Sequence, residues 1–409
     1  MRIAIISNFY PPYYIGGYEL ACHKVAEELK KRGHKVFVAT TNYGLKKSQI
    51  KNDVWRIFGE PAITSSSSKI NYYCQLFRDF FKRGFFELRD GKRCQRFLDS
   101  VRPDIIYLWN TKKISLSVLD VCQKSKLPIC YYVFDHHLVD IGRWLGFWMC
   151  KNLAVKFSAG FLDDIGIKTK PIHLKVDSWQ LATRFLKDEA QKAGLKIEAA
   201  KVIYYGIDVK QFPFCQENFD FSKRLLFVGQ IVRHKGVHTA IKALNILINE
   251  KNQPDFTLTI VGPMVDKSYY LFLRELIAKY NLNEQIKILN QVKADEMPGI
   301  YRNHGLFIFP SIWEEPYGIT ILEAMASGLV VIGTATGGSA EICHANVNAL
   351  IFEKGDEKGC ADLILKAQNK DLRRALIGRA KEDVAINFNL QQTINKIEDD
   401  LKSAYEKSS

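Results

Sequence analysis

A chain of 409 residues, 47% of them hydrophobic, is too long for one ordinary core and has the apolar content to fill two. No apolar run reaches the roughly 18 residues needed to span a bilayer, the start at Met1 to Ser7 is too short for a signal peptide, and the cysteine usage fits a reducing cytoplasm, where the protein is expected. The net charge of +14 leaves an anionic partner open, while nine scattered cysteines, odd in number and without a Cys-x-x-Cys pair, argue against a disulfide framework and a zinc site.

In chain order, the pattern predicts a strand at 2–7, a loop holding Pro11 and Pro12, a helix from about Gly17 to Arg32 stopped by Gly33, and a strand at 35–40. This is a βαβ unit, and a strand at 104–109, a helix at 115–124 and a strand at 129–134 repeat it. Residues 175–178 followed by a helix at 180–193 continue the alternation, and the run from Lys201 to Asp208, with Phe212 behind it, closes a first domain of residues 1–212. Turn and polar residues make 213–222 a linker. A second domain, 223–388, alternates strands at 224–228, 256–261 and 286–289 with helices at 236–249, 268–280 and 294–302. A last helix, about Leu390 to Tyr405, falls in 389–409. The fold class is α/β with two open parallel sheets, and ligands of such sheets sit at the carboxyl ends of the strands.

Residues 314–328 read Glu-Glu-Pro-Tyr-Gly-Ile-Thr-Ile-Leu-Glu-Ala-Met-Ala-Ser-Gly, after a buried strand at Leu306 to Pro310. Gly318 would let the chain approach a ligand closely, and the N–H groups of Ile319 and Thr320, with the helix dipole, would hold a phosphate. From Glu315 to Glu323 is at most about 12 Å if helical. One carboxylate would then reach a hexose on one side of a diphosphate and the other a ribose. In a plainer reading, Glu315 favours a helix start and Glu323 is solvated.

This string resembles the Glu-x7-Glu signature of the retaining glycosyltransferases of family 4, whose fold, GT-B, has two facing Rossmann-like domains with a cleft between them. The resemblance continues through Leu329 to Thr334 and the Thr336-Gly337-Gly338-Ser339-Ala340-Glu341-Ile342 turn, and Phe227 to Gly236 looks like the family's phosphate-binding loop. It implies a hexosyltransferase whose co-substrate is a nucleotide sugar such as UDP- or GDP-hexose, with no further cofactor. It also implies a crossing of the last helix back to the first domain. Glu315 would orient the sugar's hydroxyls. Gly318, Ile319, Thr320 and Glu323 would hold the rest of the donor, and backbone near Gln291 and Val292 would read the base.

A departing diphosphate needs fixed cations and amides. Lys235 and Arg233 stand in a Gly-bounded loop after a strand, where they can reach both phosphates, although a solvated helix start fits them too. The family usually has Arg where this chain has Gln230, so Arg233 would supply the missing charge. There is no Asp-x-Asp and no His-Glu-x-x-His, so a metal-independent enzyme is expected, with no metal ligands. Gly16 and Gly17 open the first helix, where backbone N–H groups can meet a phosphate or an acceptor hydroxyl or where glycine merely frees the backbone. Phe134 falls where the family puts its catalytic His. Either His136 has taken that place by a shift along the chain or Asp135 binds the sugar unaided; a surface His136-His137 pair is the other reading.

Residues 1–214 carry 35 Lys+Arg against 20 Asp+Glu, or +15, leaving 23 against 24, or −1, for residues 215–409. Residues 69–102 interleave aromatics with cations and 142–149 add a second aromatic stretch, a composition suited to peripheral contact with an anionic inner membrane face or to core aromatics with a basic outer face. No nucleic-acid-binding motif is present, so RNA is not an expected partner. The acceptor would be a saccharide or a lipid-linked saccharide. Two other readings remain at this point: a nucleotide-sugar epimerase of the same fold, and a donor-binding protein without transfer activity, suggested by Gln230 and Phe134.

Overall fold

The structure is a computed structural model that describes residues 1–59, 87–112, 114–136, 175–197, 199–214 and 221–408. The aromatic and basic stretch before residue 87, His137, the stretch at 142–149 and most of the linker expected at 213–222 lie outside the described residues. The chain divides into two compact units. The first holds Met1–Ala182, Leu186–Ile203 and Ile394–Ser409, and the second holds Thr183–Phe185 and Tyr204–Thr393.

The first unit is built on strand β1 (Arg2–Ile6), helix α1 (Gly17–Lys31), β2 (Lys35–Thr41), β3 (Gln49–Lys51), β4 (Val54–Phe58), a helix at 87–101 (α2), β5 (Ile105–Leu108), α3 (Leu116–Lys124), β6 (Ile129–Val133), β7 (Ser178–Leu181), α4 (Arg184–Lys192) and β8 (Lys201–Val202). Ile3 to Ile6, Ile105 to Leu108 and Ile129 to Val133 are buried along their whole length. Such unbroken apolar runs suit strands covered on both faces, and the sheet they form, in the order β3-β4-β2-β1-β5-β6-β7-β8, is parallel except for the β3–β4 pair. The hairpin of β3 and β4 carries no alternating signal strong enough to be foreseen.

The expected helix start at residue 180 is corrected to Arg184, because Gln180 and Leu181 belong to β7. Gln180 is fully buried and serves a polar chain there: it accepts from the Tyr107 hydroxyl (2.8 Å) and donates to Asp400 (2.6 Å). Asp400 also takes the Ser178 hydroxyl (2.6 Å) and the Lys201 ammonium. This ties the end of the last helix to the edge of the first sheet.

The second unit runs β9 (Arg224–Val228), α5 (Val237–Asn245), β10 (Thr257–Val261), α6 (Lys267–Lys279), β11 (Ile286–Leu289), α7 (Met297–Arg302), β12 (Leu306–Phe309), α8 (Ile319–Ser327), β13 (Val330–Gly333), β14 (Ala349–Ile351), α9 (Glu357–Lys366), α10 (Lys370–Asn387) and the start of α11 (Leu390–Glu406). Its six strands are parallel in the order β11-β10-β9-β12-β13-β14. Leu225, Phe227, Ile260 and Ile308 from the strands pack with Val237, Ile241, Leu244, Leu273 and Ile277 from the helices in one buried cluster. The order places the carboxyl ends of β9 and β12 side by side, which sets their two loops against each other.

Candidate active site

The loop after β9 turns through a short 3-10 segment, Arg233–Lys235, and leaves through Gly236 in the left-handed region (φ 69°). A Cβ on Gly236 would stand 1.8 Å from the carbonyl oxygen of Pro310, at the end of β12, so both the backbone angle and the space demand glycine. The two loops are then zipped together. Ile312 donates its N–H to the His234 carbonyl (2.9 Å), and the Ser311 hydroxyl oxygen lies 3.2 Å from the same carbonyl.

That close approach puts the Lys235 ammonium 2.8 Å and 2.7 Å from the two carboxylate oxygens of Glu315, a side chain only 3% exposed. Oε1 of Glu315 also accepts the Ser311 hydroxyl (2.5 Å) and the Trp313 indole N–H (2.8 Å). From the other side the Thr336-Gly337-Gly338 turn presses on the same backbone. Gly338 donates its N–H to the Glu315 carbonyl (2.6 Å), and a Cβ on Gly337 or Gly338 would lie 2.5 Å or 2.2 Å from the carbonyl oxygens of Glu315 and Pro316.

Three residues past Glu315, Gly318 (φ 143°) begins α8, which has no side-chain cap. The first N–H groups of a helix have no partner within it, so those of Ile319 and Thr320, both partly exposed, are available to an anion that the helix dipole favours. Glu323 sits one turn further on and takes the Tyr301 hydroxyl of α7 (2.7 Å). Burial raises its carboxyl to about 7, and the Tyr301 bond only partly offsets this.

The sign of that shift gives a test. A carboxyl raised from 4.5 to about 7 favours folding below pH 4.5, and this contribution is lost as pH rises through 7. Because the Tyr301 hydroxyl stabilises the ionised form, Tyr301→Phe is expected to destabilise by about 1 kcal/mol more at pH 8.5 than at pH 5.5. Denaturant unfolding at the two pH values checks it; equal losses would show that Glu323 does not titrate there.

The other expected donor residues are more dispersed. The guanidinium of Arg233 lies 5.6 Å and 5.2 Å from the ring centres of Tyr269 and Phe272 on α6, so Lys235, not Arg233, is the cation brought to Glu315. Val292 is in the loop after β11, two strands from β9.

In the first unit, Gly16 caps α1 with its N–H bonded to Glu19 (2.8 Å). The backbone at Gly16 is extended (φ −147°, ψ −172°), a conformation open to any residue, so left-handed freedom is not why glycine stands there. Gly17 is the first residue of the helix. Phe134, just after β6, is buried 5.4 Å from the Tyr18 ring and 6.0 Å from that of Tyr132. Asp135 and His136 follow it and are partly exposed. Asp135 accepts from Asn110 (3.3 Å) and helps raise the buried Glu19 carboxyl, which desolvation chiefly pushes up to about 7.

Ser311, Trp313, Tyr301 and Asn110 were not singled out from the sequence. Ser311 and Trp313 lie four and two residues before Glu315, just ahead of the 314–328 string, so their closeness in sequence was the signal available. Tyr301 and Asn110 reach their carboxylates only through the fold.

Two parallel α/β units, with a Glu-bearing loop and an uncapped helix at the carboxyl ends of the second sheet, define the GT-B class of glycosyltransferase architecture. Residues 15–211 match the model of Glycosyltransferase Family 4 and residues 210–383 that of Glycosyl transferases group 1, and the chain belongs to this family of glycosyltransferases. It is 25% identical to an uncharacterized glycosyltransferase of Methanocaldococcus jannaschii over 94% of this chain and 93% of that one. It is 23% identical to a glycogen synthase of Mycobacterium tuberculosis over 83% of this chain and 80% of that one. The structure of Anabaena HepE in complex with UDP-glucose is similar over 98% of this chain and 100% of that chain, with a TM-score of 0.71 at 16% identity.

Proposed function

We propose that this glycosyltransferase moves a hexose, with retention, from a nucleoside diphosphate sugar to a saccharide or lipid-linked saccharide, and that it does so without a metal. The observation that carries the reading is one loop: a buried Glu315 clamped by Lys235, followed after three residues by the uncapped start of α8. A carboxylate that only accepts hydrogen bonds suits sugar hydroxyls, and a cation beside exposed helix N–H groups suits a diphosphate.

In the step itself the bond between the anomeric carbon and the phosphate oxygen breaks, and the diphosphate keeps the electron pair. The acceptor oxygen bonds the same face of that carbon, and its proton passes to the departing phosphate. Lys235 and the amides of Ile319 and Thr320 would stabilise the charge that grows on the leaving group. Asp135 and His136 are proposed to meet the transferred sugar, and Gly16 and Gly17 are proposed as donor-binding residues. Val292 and its neighbour Gln291 are proposed to meet the base through their backbone.

The relatives' ligands support a uridine nucleotide as the first donor to try, since HepE was solved with UDP-glucose. Peripheral binding to an anionic membrane is proposed from the +15 carried by residues 1–214, the 35 Lys+Arg there against 20 Asp+Glu. A reading as a donor-binding protein without transfer also has support, because Phe134 is committed to the aromatic packing around Tyr18 and Tyr132.

Two measurements separate these. Full acceptor-dependent release of nucleoside diphosphate in excess chelator is expected; abolition by chelator with rescue by magnesium would sink the metal-independent mechanism. Donor binding without any release, across a panel of saccharide and lipid-linked acceptors, would favour the binding protein.

A further inference from the structure

The surroundings of Glu315 are asymmetric at the level of its two oxygens. Oε1 accepts from Lys235 (2.8 Å), Ser311 (2.5 Å) and Trp313 (2.8 Å), whereas among the described residues Oε2 accepts from Lys235 alone (2.7 Å). Each carboxylate oxygen offers about two lone-pair directions, so Oε1 is fully subscribed and Oε2 keeps one. The donors on Oε1 are themselves held. Ser311 is 1% exposed and its one hydroxyl proton goes to the nearer, charged Oε1 rather than to the His234 carbonyl 3.2 Å away, and the Trp313 ring packs 4.5 Å from that of His234 and 5.8 Å from the Lys235 ammonium. The Trp313 backbone carbonyl in turn accepts the Thr336 hydroxyl (2.6 Å) from the glycine turn, so the backbone that carries the indole is held as well.

The geometry points to Trp313 and Ser311 as positioning residues that lock Oε1, so that Oε2 is the single atom of Glu315 left to accept a hydroxyl of the donor sugar. Neither residue touches the diphosphate seat at Gly318, Ile319 and Thr320 in this reading. They act on the sugar end of the donor only, and only through Glu315. The inference rests on the donor reading of the site.

It predicts a split between nucleotide and sugar. UDP, GDP and ADP, and the glucose and mannose derivatives of each, are titrated calorimetrically into the wild type, and the best pair is then titrated into Trp313→Phe and Ser311→Ala. Trp313→Phe keeps the ring and removes only the N–H; Ser311→Ala removes the second donor without touching the ring. In both, affinity for the bare nucleoside diphosphate is expected to stay within about twofold of wild type. The extra affinity contributed by the sugar and the turnover are expected to fall about tenfold, the worth of one hydrogen bond to a charged acceptor. A purely structural role would weaken nucleotide and nucleotide sugar together. If both variants keep the wild-type sugar contribution and turnover, or lose nucleotide affinity in parallel, the positioning role is overturned while the donor site stands. If the wild type binds none of the six nucleotide sugars, the donor reading falls and this inference with it.

Discussion

Lys235→Ala is expected to cost about 3 kcal/mol of stability, because it strands a buried carboxylate whose counter-ion it removes. Glu315 is 3% exposed and Lys235 bonds both of its oxygens, so no solvent can replace the ammonium cheaply. The same change is expected to weaken nucleoside diphosphate binding at least tenfold, since a charge-assisted bond is about twice as strong as a neutral one. Pairing it with Glu315→Gln should recover part of the stability, because an amide needs no counter-ion. Equal and additive losses in chemical unfolding would mean that the two groups are not coupled. Arg233→Ala belongs in the same series. Its guanidinium is shared with the Tyr269 and Phe272 rings, so a smaller loss of nucleotide affinity, about threefold, is expected for a cation held by ring faces. An unchanged affinity would remove Arg233 from the donor residues.

Gly236→Ala is expected to destabilise by about 3 kcal/mol, combining overpacking with left-handed strain. The added Cβ would lie 1.8 Å from the Pro310 carbonyl oxygen, a backbone atom that cannot swing aside. Gly355→Ala is the control, since it has a similar angle (φ 74°) and nothing within 4 Å. It should cost only the strain, about 1 kcal/mol. The difference between the two variants measures how tightly the β9 loop is set against the end of β12. Equal effects in thermal unfolding would show that the loops can part without cost.

The second unit was the more legible in the sequence, and the reason is physical. Strands at 224–228 and 286–289 are short apolar runs between turn residues, and the structure reproduces both sets of bounds. The helix expected at 236–249 gives way after Asn245 to a π-helical turn at Ile246–Glu250, which keeps the same face buried and so leaves no mark on the apolar period. In the first unit, residues 175–183 misled because the buried polar residue Gln180 has no apolar signature, and its place in β7 depends on Tyr107 and Asp400 far along the chain.

At the site the same rule holds. Glu315, Gly318 and Glu323 share one string, and Lys235 lies in another with its own glycine punctuation, so local reading finds them. That Lys235 meets Glu315 across 80 residues follows only from β9 and β12 being neighbours. Tyr301 reaches Glu323 from a neighbouring helix, and Phe134 turns inward because Tyr18, Trp109 and Tyr132 already line that wall. Neither could be read from spacing.

In the proposed mechanism Glu315 handles the sugar of a nucleotide donor during transfer. Acceptor-dependent release of nucleoside diphosphate, measured for the wild type and Glu315→Gln with the donor that stabilises the wild type most, tests it directly. The wild type is expected to release it, and Glu315→Gln is expected to lose about 100-fold in turnover with nucleoside diphosphate affinity retained. Near-normal turnover in Glu315→Gln would contradict it.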